Sequence, residues 1–153
     1  MKAGNDSTAL PTAVGCLIVI TVTERVTGIG GVFLRARDAD KLRAWYATHL
    51  GIDIDAQFGG AQLGPSGDGS VIWAIFPQST EYLGRPEQAV MINYRVADLD
   101  AMVAQLRTAG AEVDDTIAET KQGRFGWATD PEGNRLELWQ PPTSQGDEQV
   151  ADS

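Results

Sequence analysis

Two stretches of this chain carry the same pattern, and that repetition limits the fold more than any other feature. Laid over one another, Phe33-Leu-Arg-Ala-Arg-Asp-Ala-Asp and Asn93-Tyr-Arg-Val-Ala-Asp-Leu-Asp match Asp38 with Asp98 and Asp40 with Asp100, an offset of 60 residues. Each copy begins as an alternating strand and then places an aspartate where a helix would start, so that its carboxylate accepts from the free first-turn amides. In the first copy Leu42, Trp45, Tyr46 and Leu50 recur at three- and four-residue spacing, and Gly51 follows where a left-handed cap is expected. In the second, Leu99, Met102, Val103 and Leu106 are followed by Gly110. An internal duplication is the economical reading.

The remaining elements follow from turn chemistry and alternation. Ile52 to Phe58, Ala61 to Leu63 and Ser70 to Phe76 are predicted strands, separated by Gly59-Gly60 and by the Gly64-Pro-Ser-Gly-Asp-Gly loop. Gln78 to Gln88 contains Gly84 and Pro86 and has no sustained period, so it is a connecting loop. Val90 to Val96, Glu112 to Asp114, a stretch near Arg124 to Thr129, and Arg135 to Gln140 are the strands of the second half. Each half is thus a βαβββ module, 28–77 and 89–142, within a domain of 28–142. An N-terminal extension of 1–27 and an acidic C-terminal tail of 143–153 flank it.

The last two strands form a hairpin. Asp130 can accept from amides of the turn, Pro131 presets φ, and Gly133 takes a conformation that a side chain would resist. On the return strand Leu136 and Leu138 face one way while Arg135, Glu137 and Trp139 face the other. A carboxylate therefore lies between two large side chains on one sheet face, and Pro141 and Pro142 then stop the strand.

Composition narrows the partners. With 12 Lys and Arg against 21 Asp and Glu, a net charge of −9, neither a nucleic-acid backbone nor an anionic membrane surface is expected as partner. The length allows a sizeable core without disulfide or metal staples. One cysteine, Cys16, cannot form an intrachain disulfide, which fits a cytoplasmic location. The apolar run Val14 to Val22 is too short to span a bilayer, and with only Lys2 before it and Thr23-Glu24-Arg25 after it, it is not expected to be a cleaved signal.

The duplicated modules, Leu50-Gly-Ile after the first helix, Ala109-Gly-Ala after the second, and Asp130-Pro-Glu-Gly-Asn-Arg-Leu-Glu-Leu together resemble the vicinal oxygen chelate superfamily. That superfamily includes glyoxalase I, the bleomycin- and fosfomycin-resistance proteins and the extradiol dioxygenases. The resemblance covers Gly28 to Pro142. It implies an α+β fold in which two βαβββ modules form an incompletely closed mixed β-barrel with a concave ligand cleft.

The resemblance also implies a divalent metal in many members, held from four strand positions. Here they fall at Gly31, near Trp73, near Met91 and at Glu137, and of these only Glu137 can hold a hard cation. Val71 to Phe76 and Val90 to Val96 contain no His, Asp or Glu that a small change of register could supply. His49, the one histidine, belongs at a helix end, where it can meet free carbonyls. No metal and no other cofactor is therefore expected.

Glu137 has two readings. It pairs with an arginine of the cleft, Arg35 or Arg95, or it is a catalytic general base whose proton affinity is raised by apolar neighbours. The pair is the simpler. By alternation Gly31, Phe33 and Arg35 share a face, as do Met91, Asn93 and Arg95, and Trp73 and Trp139 join them. The expected ligand-binding set is thus Phe33, Arg35, Trp73, Met91, Asn93, Arg95 and Trp139, suited to a planar aromatic or anionic small molecule. Arg124 and Phe125 are candidates for the pocket edge, with a surface role for the arginine equally open.

The function expected is a metal-free member that binds a small organic ligand, with catalysis undecided. The alternatives are a metal-dependent enzyme of glyoxalase or dioxygenase type and a sequestering protein of the bleomycin-resistance type. A homodimer is expected, with Tyr82, Leu83 and Pro86 of the connecting loop as candidate contacts.

Overall fold

The computed structural model describes residues 23–67 and 69–143; the N-terminal stretch 1–22 and the tail beyond Thr143 lie outside the described residues. Strand β1 (Val26–Ala36) leads to helix α1 (Ala39–Leu50), then β2 (Gly60–Leu63) and β3 (Val71–Pro77). The second half runs β4 (Val90–Val96), α2 (Leu99–Thr108), β5 (Glu112–Val113), β6 (Ala118–Thr120), β7 (Gly123–Thr129) and β8 (Arg135–Gln140). These strands form one mixed sheet in the order β2-β3-β1-β4-β8-β7-β5, with β6 on β7, and the sheet does not close. The two modules meet where β1 pairs antiparallel with β4.

Both helices start as the repeat predicts. The Asp38 carboxylate accepts from the Lys41 amide at 3.1 Å and the Asp98 carboxylate from the Ala101 amide at 3.0 Å, each satisfying one free first-turn donor. α1 ends at Gly51, whose φ of 65° is left-handed. One face of the sheet is covered by the helices. Val96, Leu99, Met102, Val103 and Leu138 pack under α2, and Ala36, Ala61, Trp73 and Ile75 pack with Leu42 and Tyr46 of α1. The other face curves around the cleft.

The first module is one strand shorter than predicted. Ile52 to Phe58 is irregular, with a single bridge between Asp55 and Gly60. The Asp55 carboxylate accepts from the Gln57 amide at 2.7 Å, closing a turn that competes with a ladder. Ile52 and Ile54 nevertheless pack against the α1 cluster, so the apolar alternation reports burial rather than pairing.

The connecting loop Gln78 to Gln88 has no regular structure, yet it is firmly tied. The Arg35 guanidinium donates to the carbonyls of Gln78 and Thr80, both at 2.7 Å, and to that of Gln88 at 3.0 Å, with longer bonds to those of Gly84 and Arg85. A delocalised fork with five donors is the side chain that can gather this many carbonyls. The Gln88 side chain stitches the far end to β8 through the Arg135 carbonyl and amide, each at 2.7 Å. The loop thus lies as a strap over one end of the cleft. Leu83 is fully buried there with Phe33, Ala74 and Met91. Of the three loop residues expected at a dimer contact, Leu83 is buried in its own chain, while Pro86 and Tyr82 are exposed, the latter with its hydroxyl turned inward to Glu137.

Candidate functional site

Glu137 is buried at the centre of the open sheet, 1% exposed. Its strand β8 pairs parallel with β4 and antiparallel with β7, so Asn93 stands beside it on one side and Trp127 on the other. Both reach its carboxylate. Asn93 Nδ2 donates to Oε1 at 2.5 Å, and Trp127 Nε1 donates to Oε2 at 2.8 Å. From the strap, the Tyr82 hydroxyl donates to Oε2 as well.

No guanidinium or ammonium among the described residues forms an ion pair with Glu137, so the expected pairing with Arg35 or Arg95 is not what the structure has. Arg35 is spent on the strap carbonyls. The Arg95 guanidinium lies over the Trp139 ring at 5.2 Å and donates to the Ser70 carbonyl, and its Nε is buried without a partner. Burial pushes the Glu137 carboxyl above its ordinary value, and the three donors, with Arg135 at longer range, pull it back only in part. The Tyr82 phenol is likewise raised, first by its own burial and then by the carboxylate it bonds.

Above Glu137 lies a cavity of about 450 Å³, walled mainly by rings. Phe76 and Tyr82 stack on one side with centroids 5.4 Å apart, and Phe125 and Trp139 stack on the other at 5.9 Å. Phe33, Phe58, Ile72 and Gln122 complete the wall, and Gly30 and Asn93 lie at the floor beside the carboxylate. A bulge between Ile29 and Gly31 opposite β4 makes that floor. A Cβ on Gly30 would stand 2.4 Å from Asn93 Oδ1 and 2.6 Å from Trp139 Cε3, so a side chain there would displace both.

Of the residues expected to bind ligand, Phe33, Asn93 and Trp139 line the cavity, as does Glu137. The others do not. Trp73 points to the helix side and packs on Tyr46 with centroids 4.8 Å apart. The β1–β3 register pairs Gly31 with Ile72 and Phe33 with Ala74, so the cleft-facing residues of β3 are Ile72, Ala74 and Phe76, and a one-residue slip exchanges the faces. Met91 shares the cleft face but is sealed beneath the strap against Phe33 and Leu83. Arg95 is covered by Trp139, and Arg35 by the strap. Arg124 leaves the pocket edge to Phe125 and pairs outside with Asp100 and Glu119.

Seven contributors were missed: Gly30, Phe58, Ile72, Phe76, Tyr82, Gln122 and Trp127. Phe76 is lost with the β3 register. Gly30 needs the bulge and Tyr82 the strap, neither of which has a periodic signature. Trp127 alone was within reach, because counting back from the 130–133 turn sets it opposite Glu137.

The superfamily's metal does not fit these residues. At the first position Gly30 and Gly31 offer no ligand atom, and the space a side chain would occupy is filled by Asn93, Trp139 and the Phe33 ring. Ile72, Ala74 and Met91 are apolar or a soft thioether, and three lone-pair sites of Glu137 already accept. His49 is exposed at the end of α1, on the helix side, its ring 5.1 Å from that of Trp45. Among the described residues no three His, Cys, Asp or Glu side chains converge. No helix among them is long and apolar enough to cross a membrane.

A family model described as a glyoxalase-like domain matches residues 31–139. Among solved structures, methylmalonyl-CoA epimerase from Mycobacterium tuberculosis is 25% identical, with 78% of this chain and 91% of that chain covered and a TM-score of 0.53. A variant of Streptomyces coelicolor methylmalonyl-CoA epimerase, in complex with 2-nitronate-propionyl-CoA, is 21% identical over 77% of this chain and 99% of that one, with a TM-score of 0.58. The second likeness is one of fold. No curated protein matches the sequence.

Proposed function

We propose that this chain, which belongs to the glyoxalase-like domain family of the vicinal oxygen chelate superfamily, binds a small aromatic molecule over Glu137 and does so without a divalent metal. One observation carries the reading: the cleft centre, where a metal site would need ligand atoms, is furnished with aromatic rings and with a carboxylate already engaged by Tyr82, Asn93 and Trp127. Two stacked pairs facing one another across 450 Å³ suit a planar guest, and the volume is that of a small ligand. The anionic guest expected from two cleft arginines loses its support, because both guanidiniums are engaged elsewhere.

Trp139 in the wall supplies the readout. Titration of aromatic acids, amines, thiol conjugates and antibiotics, followed by tryptophan fluorescence with and without EDTA, should find a compound that saturates at one per chain, its affinity unchanged by chelator. Binding that develops only when a divalent metal is added would overturn the reading.

A second reading is catalytic. A carboxyl with raised proton affinity, hydrogen-bonded to a phenol and facing a half-open cavity, has the parts of a proton-transfer site. The structural neighbours named as epimerases favour testing it. Exchange of ligand C–H for solvent deuterium would mark turnover, whereas saturation without exchange would mark sequestration.

A further inference from the structure

We propose that the ligand of this cleft carries a protonated amine, and that its ammonium group sits at the floor between Glu137 Oε1 and Asn93 Oδ1, a placement that rests on the aromatic-cleft reading above. Asn93 is 2% exposed, and its Oδ1 has no hydrogen-bond partner. The amide orientation is dictated by chemistry: Nδ2 stands 2.5 Å from Glu137 Oε1, and turning the oxygen there would set an acceptor against a carboxylate. Oδ1 therefore points towards Gly30, 2.4 Å from where a Cβ on that residue would stand, and only the absence of a side chain there leaves it room. A buried amide oxygen without a donor is uncommon and costly, which makes it a place for a ligand N–H.

The carboxylate points the same way. Of its lone-pair sites, Oε2 accepts from Tyr82 and Trp127 and Oε1 from Asn93, so one on Oε1 remains. All three neighbours donate to the carboxylate, and those bonds favour its anionic form. Yet no cation among the described residues pairs with that anion. Arg135 is bonded to Asp114 at 2.9 Å and lies over the Trp127 ring, and Arg35 and Arg95 are engaged as described. A neutral hydroxyl or amide would satisfy Asn93 and leave the buried charge uncompensated. An ammonium satisfies both. The net charge of −9 draws cations towards the protein.

The test uses three probes of one shape: phenethylamine, 2-phenylethanol and 3-phenylpropionate, titrated calorimetrically into the full chain at pH 7. The amine should bind about tenfold tighter than the alcohol, the difference one charge-assisted contact makes, and the acid should bind weakest. In Glu137→Gln, its fold checked by circular dichroism, the preference for the amine over the alcohol should disappear. Equal affinity for amine and alcohol, tighter binding of the acid, or an amine preference that survives Glu137→Gln would overturn the amine inference and leave the aromatic cleft standing. Binding by none of the three would overturn both. The comparison on the unaltered protein decides charge preference by itself, so the inference stays testable should the variant not fold.

Discussion

Asn93 donates from its side-chain amide to Oε1 of Glu137 across 2.5 Å, from the position directly paired with it on the neighbouring parallel strand. The ladder places the two side chains on one face, so the contact is a consequence of register rather than of a loop's conformation. Asn93→Asp would replace that donor with a second carboxylate. Two acids at this distance share a proton, so the variant should melt lower than the parent at pH 8 and recover most of the difference at pH 5. Thermal melts at the two values check it, and an equal loss at both would show that the charge of Glu137 is not what Asn93 serves.

Stability should fall as pH rises above the ordinary carboxyl range. Burial raises the folded-state value of Glu137 above its ordinary 4.5. Between 4.5 and that raised value the folded chain holds a proton the unfolded chain has released, so stability is greatest below the window and is lost upward through it. Asp100 and Asp130 are shifted down from 3.8, so their contributions are lost only in stronger acid. Melting curves from pH 5 to 8 should descend, and Glu137→Gln should flatten the descent, which separates this group from the general repulsion of an acidic chain. The same slope in the variant would assign the effect elsewhere.

Gly30 should tolerate no side chain. Gly30→Ala places a Cβ against Asn93 Oδ1 and Trp139, and an overpacked contact of this kind costs about 1–3 kcal/mol. Any ligand bound at the floor should weaken with it. Gly28→Ala is the control, because nothing lies within 4 Å of its Cβ. Ligand titration and melting of the pair check this, and equal behaviour would mean the bulge does not shape the site.

Arg35 should hold the strap closed. Arg35→Met keeps the apolar stem and strands the carbonyls of Gln78, Thr80 and Gln88, a loss of about 3 kcal/mol at the scale of one or two charge-assisted bonds. Proteolysis should then appear first between Gln78 and Gln88. Arg35→Lys should not rescue it, since one ammonium cannot span those carbonyls. A protease-resistant strap in Arg35→Met would contradict this role.

Features set by neighbouring residues were legible in the sequence. The two aspartate caps sit as the repeat implied, and at the hairpin Asp130 accepts from the Glu132 and Asn134 amides, each at 2.9 Å, with Gly133 at φ 83°. Glu137 and Trp139 follow from that turn by alternation. Features set by distant pairing were not. Trp73 and Ile72 are equally apolar, and only the pairing of β1 with β3 decides which faces the cleft. Arg35 and Arg95 share the cleft face by alternation, but long side chains reach the nearest acceptors, and the strap carbonyls and Ser70 outcompete a ligand pocket. Tyr82 enters the site from a segment without periodicity, placed by an arginine 47 residues earlier in the chain.

The central claim is that organic side chains occupy the place of the superfamily's metal. Elemental analysis of protein prepared without chelator, paired with a melt in EDTA, tests it most directly. A catalytic divalent site requires at least three converging ligands with an open position, and among the described residues that line the cleft Glu137 is the one carboxylate, with no imidazole or thiolate beside it. The account predicts substoichiometric zinc, nickel, iron and manganese and a melting temperature that EDTA leaves in place. About one tightly held metal per chain, lost in Glu137→Gln, would contradict it and make a metal-dependent glyoxalase- or dioxygenase-type enzyme the leading reading.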